Sequence, residues 1–303
     1  MWGTVLHAGG GRYEVRCDDG RVVEASLRGR LKLEQRTGER VVVGDRVRLA
    51  GRDTGDTTIE EVAERHSQLA RRAPGQGTRR AKVIVANVDR LVVVFAAAQP
   101  EPRTRMLDRF LVLAESNALP AVVVVNKVDL TGEAAVRERF APYETAGYPV
   151  LLTSVPERRG LEALQQCLCA GTSVLAGPSG VGKSSLLNAI QPGLGLRTAE
   201  VSRAVFKGRH TTVSARLVPL ACGGFVADTP GLRELGLWGI EPRELDRYFP
   251  EFRHYLGECR FAGSCTHTHE PGCAVRDAVD AGEISRERYD SYRQLFAGDR
   301  PVG

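Results

Sequence analysis

No uninterrupted apolar run in the 303-residue sequence reaches the roughly 18 residues that a membrane-crossing helix needs, so no membrane span and no membrane partner are expected. Met1-Trp2-Gly3-Thr4 opens no charged stretch followed by an apolar core, so no signal peptide is expected and a cytoplasmic location is the default. Lysine is scarce. Of 42 basic residues only Lys32, Lys82, Lys127, Lys183 and Lys207 are not arginine, and against that bias Lys183 reads as a position that did not drift to arginine. Aromatics are few, with only Trp2 and Tyr13 in the first 70 residues, so stacking platforms for single-stranded nucleic acid are sparse there. No charge of one sign dominates: the formal net charge of +5 permits a polyanionic partner without demanding one. An apolar content of 42% excludes both a disordered chain and a disulfide miniprotein. Seven cysteines are present, and three crowd between 259 and 273, which in a reducing compartment points to metal rather than disulfides. Cys17, Cys167, Cys169 and Cys222 are expected to be core or incidental, since Cys167-x-Cys169 lacks C-x-x-C spacing.

What is present centres on Gly177-Pro178-Ser179-Gly180-Val181-Gly182-Lys183-Ser184-Ser185. A short apolar run (173–176) precedes it and an apolar-patterned segment (184–190) follows, giving strand, glycine loop and helix with the G-x-x-x-x-G-K-S spacing of a P-loop. Glycines let successive amides face an anion, and the helix N-terminus adds about half a positive charge. Lys183 supplies an ammonium for the β- and γ-phosphates, and the Ser184 hydroxyl is a ligand for Mg²⁺. A nucleoside triphosphate is the expected ligand.

The base follows from a second motif. The buried-strand run 121–125 leads into Asn126-Lys127-Val128-Asp129. The Asp129 carboxylate accepts from both the ring N1–H and the exocyclic amine of guanine, a pair of donors adenine lacks. The Lys127 stem packs along the base and Asn126 ties this loop to the P-loop. Val150 to Ser154 is another strand, ending at a residue that resembles the GTPase loop whose backbone amide supports the guanine carbonyl, although Ser154-Val155 replaces the usual Ser-Ala. Gly208-Arg209-His210-Thr211-Thr212 resembles the switch segment that supplies a threonine, Thr211 or Thr212, to Mg²⁺. Asp228-Thr229-Pro230-Gly231 is a D-x-x-G motif, in which Asp228 holds Mg²⁺ indirectly and the Gly231 amide senses the γ-phosphate.

An ordinary GTPase reads P-loop, switch, D-x-x-G, N-K-x-D. Here N-K-x-D at 126 precedes the P-loop at 177, so the domain is circularly permuted. Leu232 stands where many GTPases carry the water-orienting glutamine, which predicts slow intrinsic hydrolysis. His210 is the nearest polar candidate for that role, with packing or partner contact as its other reading.

Around this domain, residues 1–70 read as short alternating strands with a tight turn at Asp18-Asp19-Gly20, consistent with a five-stranded barrel of the OB type. Residues 71–82 carry five basic residues, no acidic ones, and Pro and Gly, a basic linker by composition and a candidate phosphate-backbone contact. Residues 83–238 form the α/β permuted GTPase domain, with Leu107, Phe110, Leu111 and Ala114 at helical spacing behind a cap at Thr104. Residues 239–303 read as helices around Cys259-x₅-Cys265-x-His267-x₅-Cys273, a Cys₃His set suited to one tetrahedral Zn²⁺, with His269 as rival ligand.

The barrel, permuted GTPase and Cys₃His module together resemble the RsgA (YjeQ) family of ribosome small-subunit-dependent GTPases. Ala86-Asn87-Val88-Asp89, the 208–212 segment and residues 265–275 carry the likeness along nearly the whole chain, and the x₅ gap after Cys259 departs from the family's x₄. The resemblance implies His267 as the zinc ligand and an OB-fold N-terminal domain. It also implies GTP hydrolysis stimulated by the 30S subunit and a role in late small-subunit maturation through rRNA contact. Lys183, His210, Thr211 and Thr212 are the expected catalytic set, and a monomer is expected. An rRNA-binding scaffold that uses GTP only as a conformational ligand is the alternative, which Leu232 keeps open.

Overall fold

A computed structural model describes residues 1–29, 31, 40–51, 57–72, 81–194, 215–228 and 240–298, with backbone only at Arg71, Arg72, Ala81 and Asp228. The N-terminal strands are β1 (Trp2–Gly9), β2 (Arg12–Cys17), β3 (Val22–Leu27), β4 (Arg46–Ala50) and β5 (Thr57–Val62). Alternation decides their faces: Tyr13, Val15 and Cys17 of β2 turn inward, with Ala25, Leu27, Val47, Leu49 and Ile59 completing the core. The Asp18-Asp19-Gly20 turn forms as read, with Gly20 at φ +88° donating to Cys17 O. Neighbours run β1-β2-β3-β5-β4, and β4 pairs back with β1, so the sheet closes into an OB-like barrel without a free edge of its own.

β6 (Gln68–Arg72) and β7 (Ala81–Ala86) follow as an antiparallel pair. The described ends of the basic segment are therefore strand, with Arg71 opposite Lys82, while residues 73–80 lie outside the described residues. The Ala86-Asn87-Val88-Asp89 stretch is a structural clasp. Asn87 donates to Gly44 O at 2.9 Å and accepts from the His66 amide at 3.1 Å, while Asp89 accepts from the Thr172 amide at 2.6 Å.

The next elements are β8 (Arg90–Ala96), α1 (Thr104–Ser116), β9 (Ala121–Asn126), α2 (Glu133–Thr145), β10 (Val150–Leu152), α3 (Leu161–Cys169), β11 (Thr172–Ala176), α4 (Lys183–Ile190), β12 (Arg216–Pro219) and β13 (Phe225–Asp228). Two compact units share them. In one, β11 and β13 run parallel, β12 returns antiparallel, and β12 pairs with β1, where Arg216 meets Glu14 at 2.9 Å. In the other, β9 and β10 run parallel beside β8, and the uniformly valine-rich strands are buried, as strands covered on both faces must be. Helix α1 buries Leu107, Phe110, Leu111 and Ala114 as the spacing predicts. Its cap differs: Arg103 is the N-cap with no side-chain bond, and Thr104 is already the first helical residue.

Two expectations about cysteine also change. Cys169, at the end of α3, and Cys222, in the β12–β13 turn, form a disulfide with Cα atoms 5.5 Å apart, so neither is incidental. Among the described residues no helix is long and apolar enough to cross a membrane.

The C-terminal segment belongs with the second unit. Short 3₁₀ turns at Pro242–Tyr248, Pro250–Phe252 and Ala262–Ser264 precede α5 (Ala274–Asp280) and α6 (Arg286–Phe296). Phe249, Phe252, Tyr289 and Tyr292 stack into one aromatic core, with Val112 of α1 packed into the same cluster.

Candidate nucleotide site and metal centre

Steric necessity shapes the phosphate loop. Gly177 passes so close to β8 that a Cβ would lie 2.0 Å from Val94 O, and Gly182, at φ +96°, would place one 2.4 Å from Asn126 Nδ2. The space those side chains would fill is occupied by the neighbouring loop. Asn126, buried at the end of β9, donates Nδ2–H to Val181 O at 2.9 Å. Thr153 Oγ1 donates to Asn126 Oδ1 at 3.1 Å, which fixes which end of the amide faces the P-loop. Lys127 adopts the left-handed region at φ +62° and donates Nζ–H to Gly180 O at 2.7 Å and to Gln99 O. Lys183 Nζ reaches the carbonyls of Gly177 and Pro178 at 2.7 and 2.6 Å. Pro178, Ser179 and Gly180 complete the turn, and Ser184 and Ser185 stand in the first turn of α4.

Asp129 sits on the 3₁₀ turn Val128–Leu130, exposed, with one carboxylate oxygen accepting from Ser154 Oγ at 2.6 Å. Ser154 makes two contacts here. Its amide donates to Arg159 O at 3.1 Å, and its hydroxyl aims Asp129. Thr153, Gln99 and the Ser154 hydroxyl are contributions that sequence reasoning missed, and only the strand end at 153–154 gave a signal. Asp228 closes β13, parallel to the strand that feeds the P-loop, while His210, Thr211, Thr212, Gly231 and Leu232 lie outside the described residues.

The structure brings Cys259, Cys265, His267 and Cys273 together, all buried, with their ligand atoms within 4.8 Å of one another. Tetrahedral zinc bonds of about 2.3 Å to sulfur and about 2.0 Å to nitrogen require S···S of about 3.8 Å and S···N of about 3.5 Å. Cys259 Sγ lies 3.8 Å from Cys273 Sγ, and His267 Nδ1 lies 3.5 and 3.3 Å from those two sulfurs. The donor set therefore fits a tetrahedral ion. His267 Nε2 faces Asp246 Oδ2 at 3.4 Å, the outer carboxylate that orients a ligating imidazole. Exposed His269 places Nδ1 on the Thr268 hydroxyl at 2.9 Å, away from the cluster.

Electrostatics also call for a cation. Burial pushes the Cys265 thiol up to about 12 and raises Cys273, while at Cys259 burial is outweighed by the Ala274 and Val275 amides and the thiol falls below its ordinary value. For His267, burial is overcome by Asp246 and Cys259, and the ring is raised. Three thiolates in one buried pocket require a cation among them. Around them, Tyr289 and Tyr292 donate to the carbonyls of His267 and Thr266, both at 2.8 Å. Glu270 accepts from Thr266 and the Thr268 and His269 amides, bonds that outweigh burial and hold its carboxyl well below the usual range.

A family model described as RsgA GTPase matches residues 62–238, more than half of the chain. The chain belongs to the RsgA GTPase family. A Gemmatimonas aurantiaca protein named small ribosomal subunit biogenesis GTPase RsgA is 54% identical over 296 residues, covering 97% of this chain and 95% of that protein. A Moorella thermoacetica protein of the same name is 44% identical over 301 residues, with 98% and 97% covered. The crystal structure of YjeQ from Thermotoga maritima superposes with a TM-score of 0.80 at 38% identity, covering 99% of both chains. YloQ, described as a circularly permuted GTPase, superposes at 0.75 with 33% identity, covering 98% of this chain and 93% of that one. As an RsgA-family member the chain is a GTP hydrolase with a permuted GTPase fold, an OB-like barrel and a Cys₃His group suited to a metal ion.

Proposed function

We propose that the chain hydrolyses GTP under stimulation by the small (30S) ribosomal subunit and acts, as a monomer, in late small-subunit maturation. The modules are 1–70 for the barrel, 71–82 for the basic linker, 83–238 for the GTPase domain and 239–303 for the metal module. The carrying observation is the weld between the base-reading and phosphate loops, Asn126 Nδ2 to Val181 O and Lys127 Nζ to Gly180 O, with Asp129 aimed by Ser154. That arrangement suits guanine at one end and phosphates at the other.

Asp129 accepts from guanine, while the P-loop amides of residues 177–185 and Lys183 hold the phosphates. Ser184, Thr211 or Thr212, and Asp228 through water would hold Mg²⁺, which supplies charge neutralisation at the phosphate oxygens. His210 orients or deprotonates the attacking water, because Leu232 cannot. The Cys₃His group holds one Zn²⁺ per chain, and small-subunit rRNA is the docking partner. The names of the relatives support this reading, since both are called small ribosomal subunit biogenesis GTPases.

The test is GTP turnover with purified small subunits, large subunits or bulk RNA. Small subunits should raise the rate at least about tenfold, roughly 1.4 kcal/mol of barrier. Equal stimulation by the other two would remove the small-subunit assignment. Binding without any change in turnover would replace it with the scaffold reading that Leu232 keeps open.

A further inference from the structure

Four of the seven cysteines belong to the metal cluster or, like Cys17, are buried in the barrel: Cys259, Cys265 and Cys273 face His267, and Cys17 is 2% exposed. Cys167 is half-buried, and burial raises its thiol above the ordinary value, which suppresses the reactive thiolate. Cys222 alone is exposed, and it is bonded to the half-buried Cys169.

The pair is held face to face by bonds that do not depend on its own. In the β12–β13 turn Leu220 donates to Gly224 O at 2.7 Å and Gly223 to Leu220 O at 3.0 Å. Gly224 passes so close to the end of α3 that a Cβ there would lie 2.2 Å from Leu168 O, and the Phe225 amide donates to Gly171 O at 3.0 Å. Opening the bond therefore leaves both thiols in place to close it again.

The bond also encloses something. Its sequence separation of 53 places the whole P-loop, helix α4 and the His210–Thr212 segment inside one covalent ring. A cross-link across a loop of that length restricts the unfolded chain, so that segment's stability depends on whether the ring is closed.

We propose that Cys169–Cys222 is a thiol–disulfide exchange site, opened by a dithiol reductant and closed by the oxidised form of that dithiol. A dithiol thiolate attacks the exposed Cys222 sulfur. The Cys169–Cys222 bond breaks, and Cys169 leaves as a thiolate and takes a proton. The second dithiol sulfur then displaces Cys222 as a thiolate, so two electrons pass to the protein and the reductant leaves as a cyclic disulfide. Closure is the reverse. A regulatory rather than permanent bond rests on the proposed ribosomal role, which places the chain where thiols are kept reduced. The chemistry of the pair does not depend on that role.

The experiment uses the full zinc-loaded chain equilibrated with graded ratios of dithiothreitol to its oxidised form. Iodoacetamide trapping and peptide mass spectrometry report the Cys169–Cys222 link, and thermal unfolding reports stability. The oxidised protein should carry the link, and dithiothreitol should release both thiols and lower the unfolding midpoint by about 5 °C or more. The double variant Cys169→Ser/Cys222→Ser should stay at the reduced midpoint in both buffers, with GTP preference over ATP unchanged. Full alkylation of both cysteines in the oxidised buffer, a link that native protein keeps against excess dithiothreitol, or identical midpoints would each overturn the proposal. Absence of any rise in GTP turnover on adding small ribosomal subunits in both buffers would instead overturn the proposed function, leaving the exchange site standing.

Discussion

Arg288 of α6 and Asp108 of α1 form an ion pair 180 residues apart in sequence, with side chains 2% and 1% exposed. Glu251 accepts a second arm of the same guanidinium at 2.7 Å, and the Phe249 ring lies 4.7 Å beneath it. Burial opposes the charge on Arg288, but Asp108 and Glu251 outweigh it and hold the guanidinium charged well above its ordinary range. Removing one member leaves a buried charge uncompensated. Arg288→Ala should cost about 3–5 kcal/mol in denaturant unfolding of this unit. The triple variant Asp108→Leu/Glu251→Gln/Arg288→Met should lose much less. Equal losses would mean packing, rather than charge, explains the site.

The proposed base reader is Asp129. Asp129→Asn should weaken GTP and shift preference towards xanthosine nucleotides, because an amide donates where the carboxylate accepted. Competition binding with GDP and XDP checks this, and unchanged selectivity would remove the guanine assignment.

Ser154 should act through Asp129. Ser154→Ala removes one charge-assisted hydrogen bond at 2.6 Å, worth about 1.5–3 kcal/mol in place, and GDP affinity should fall about tenfold or more. In Asp129→Ala the same substitution should cost little further. Additive losses in the double variant would show that Ser154 touches the nucleotide independently.

Metal removal should unfold the C-terminal module. Structural zinc contributes on the order of 10 kcal/mol to such modules, so Cys259→Ser or Cys273→Ser should lose the module's near-ultraviolet signal while guanine nucleotide binding persists. His269→Ala should keep the metal. Protein purified without added metal and found to contain no zinc would sink the assignment.

Docking on RNA predicts a salt effect. Replacing Arg71, Arg72, Arg79 and Arg80 with Ala should weaken small-subunit stimulation and flatten its dependence on salt, leaving the unstimulated rate nearly intact. His210→Ala should instead lower the stimulated rate even with saturating subunits. If both variants gave the same profile, docking and chemistry would not be separable in this way.

Local patterns were legible in the sequence. The barrel's alternating strands, the glycine loop, N-K-x-D and the clustered Cys₃His group each announce themselves within a few neighbouring residues. What escaped depends on partners far apart in the chain. Gln99 offers Lys127 a backbone carbonyl, which no residue identity encodes. Asp246 reaches His267 across 21 residues of irregular chain, and Cys169 meets Cys222 only because a parallel strand pair brings their loops together. Thr104 looked like a cap because threonine favours that place, but the chain enters the helix one residue earlier at Arg103.

The contact from Asn126 to Val181 spans 55 residues in a permuted order, with the base-reading loop on the N-terminal side. As the chain grows during translation, Asn126, Lys127 and Asp129 are made before the phosphate loop exists. In the unpermuted order the phosphate loop would come first and could engage a nucleotide's phosphates before the base was read. Here guanine recognition waits, unfinished, until Val181 emerges to close it. The two halves of the weld thus leave the ribosome in the order base-reading loop, then phosphate loop, with Asp228 made later still.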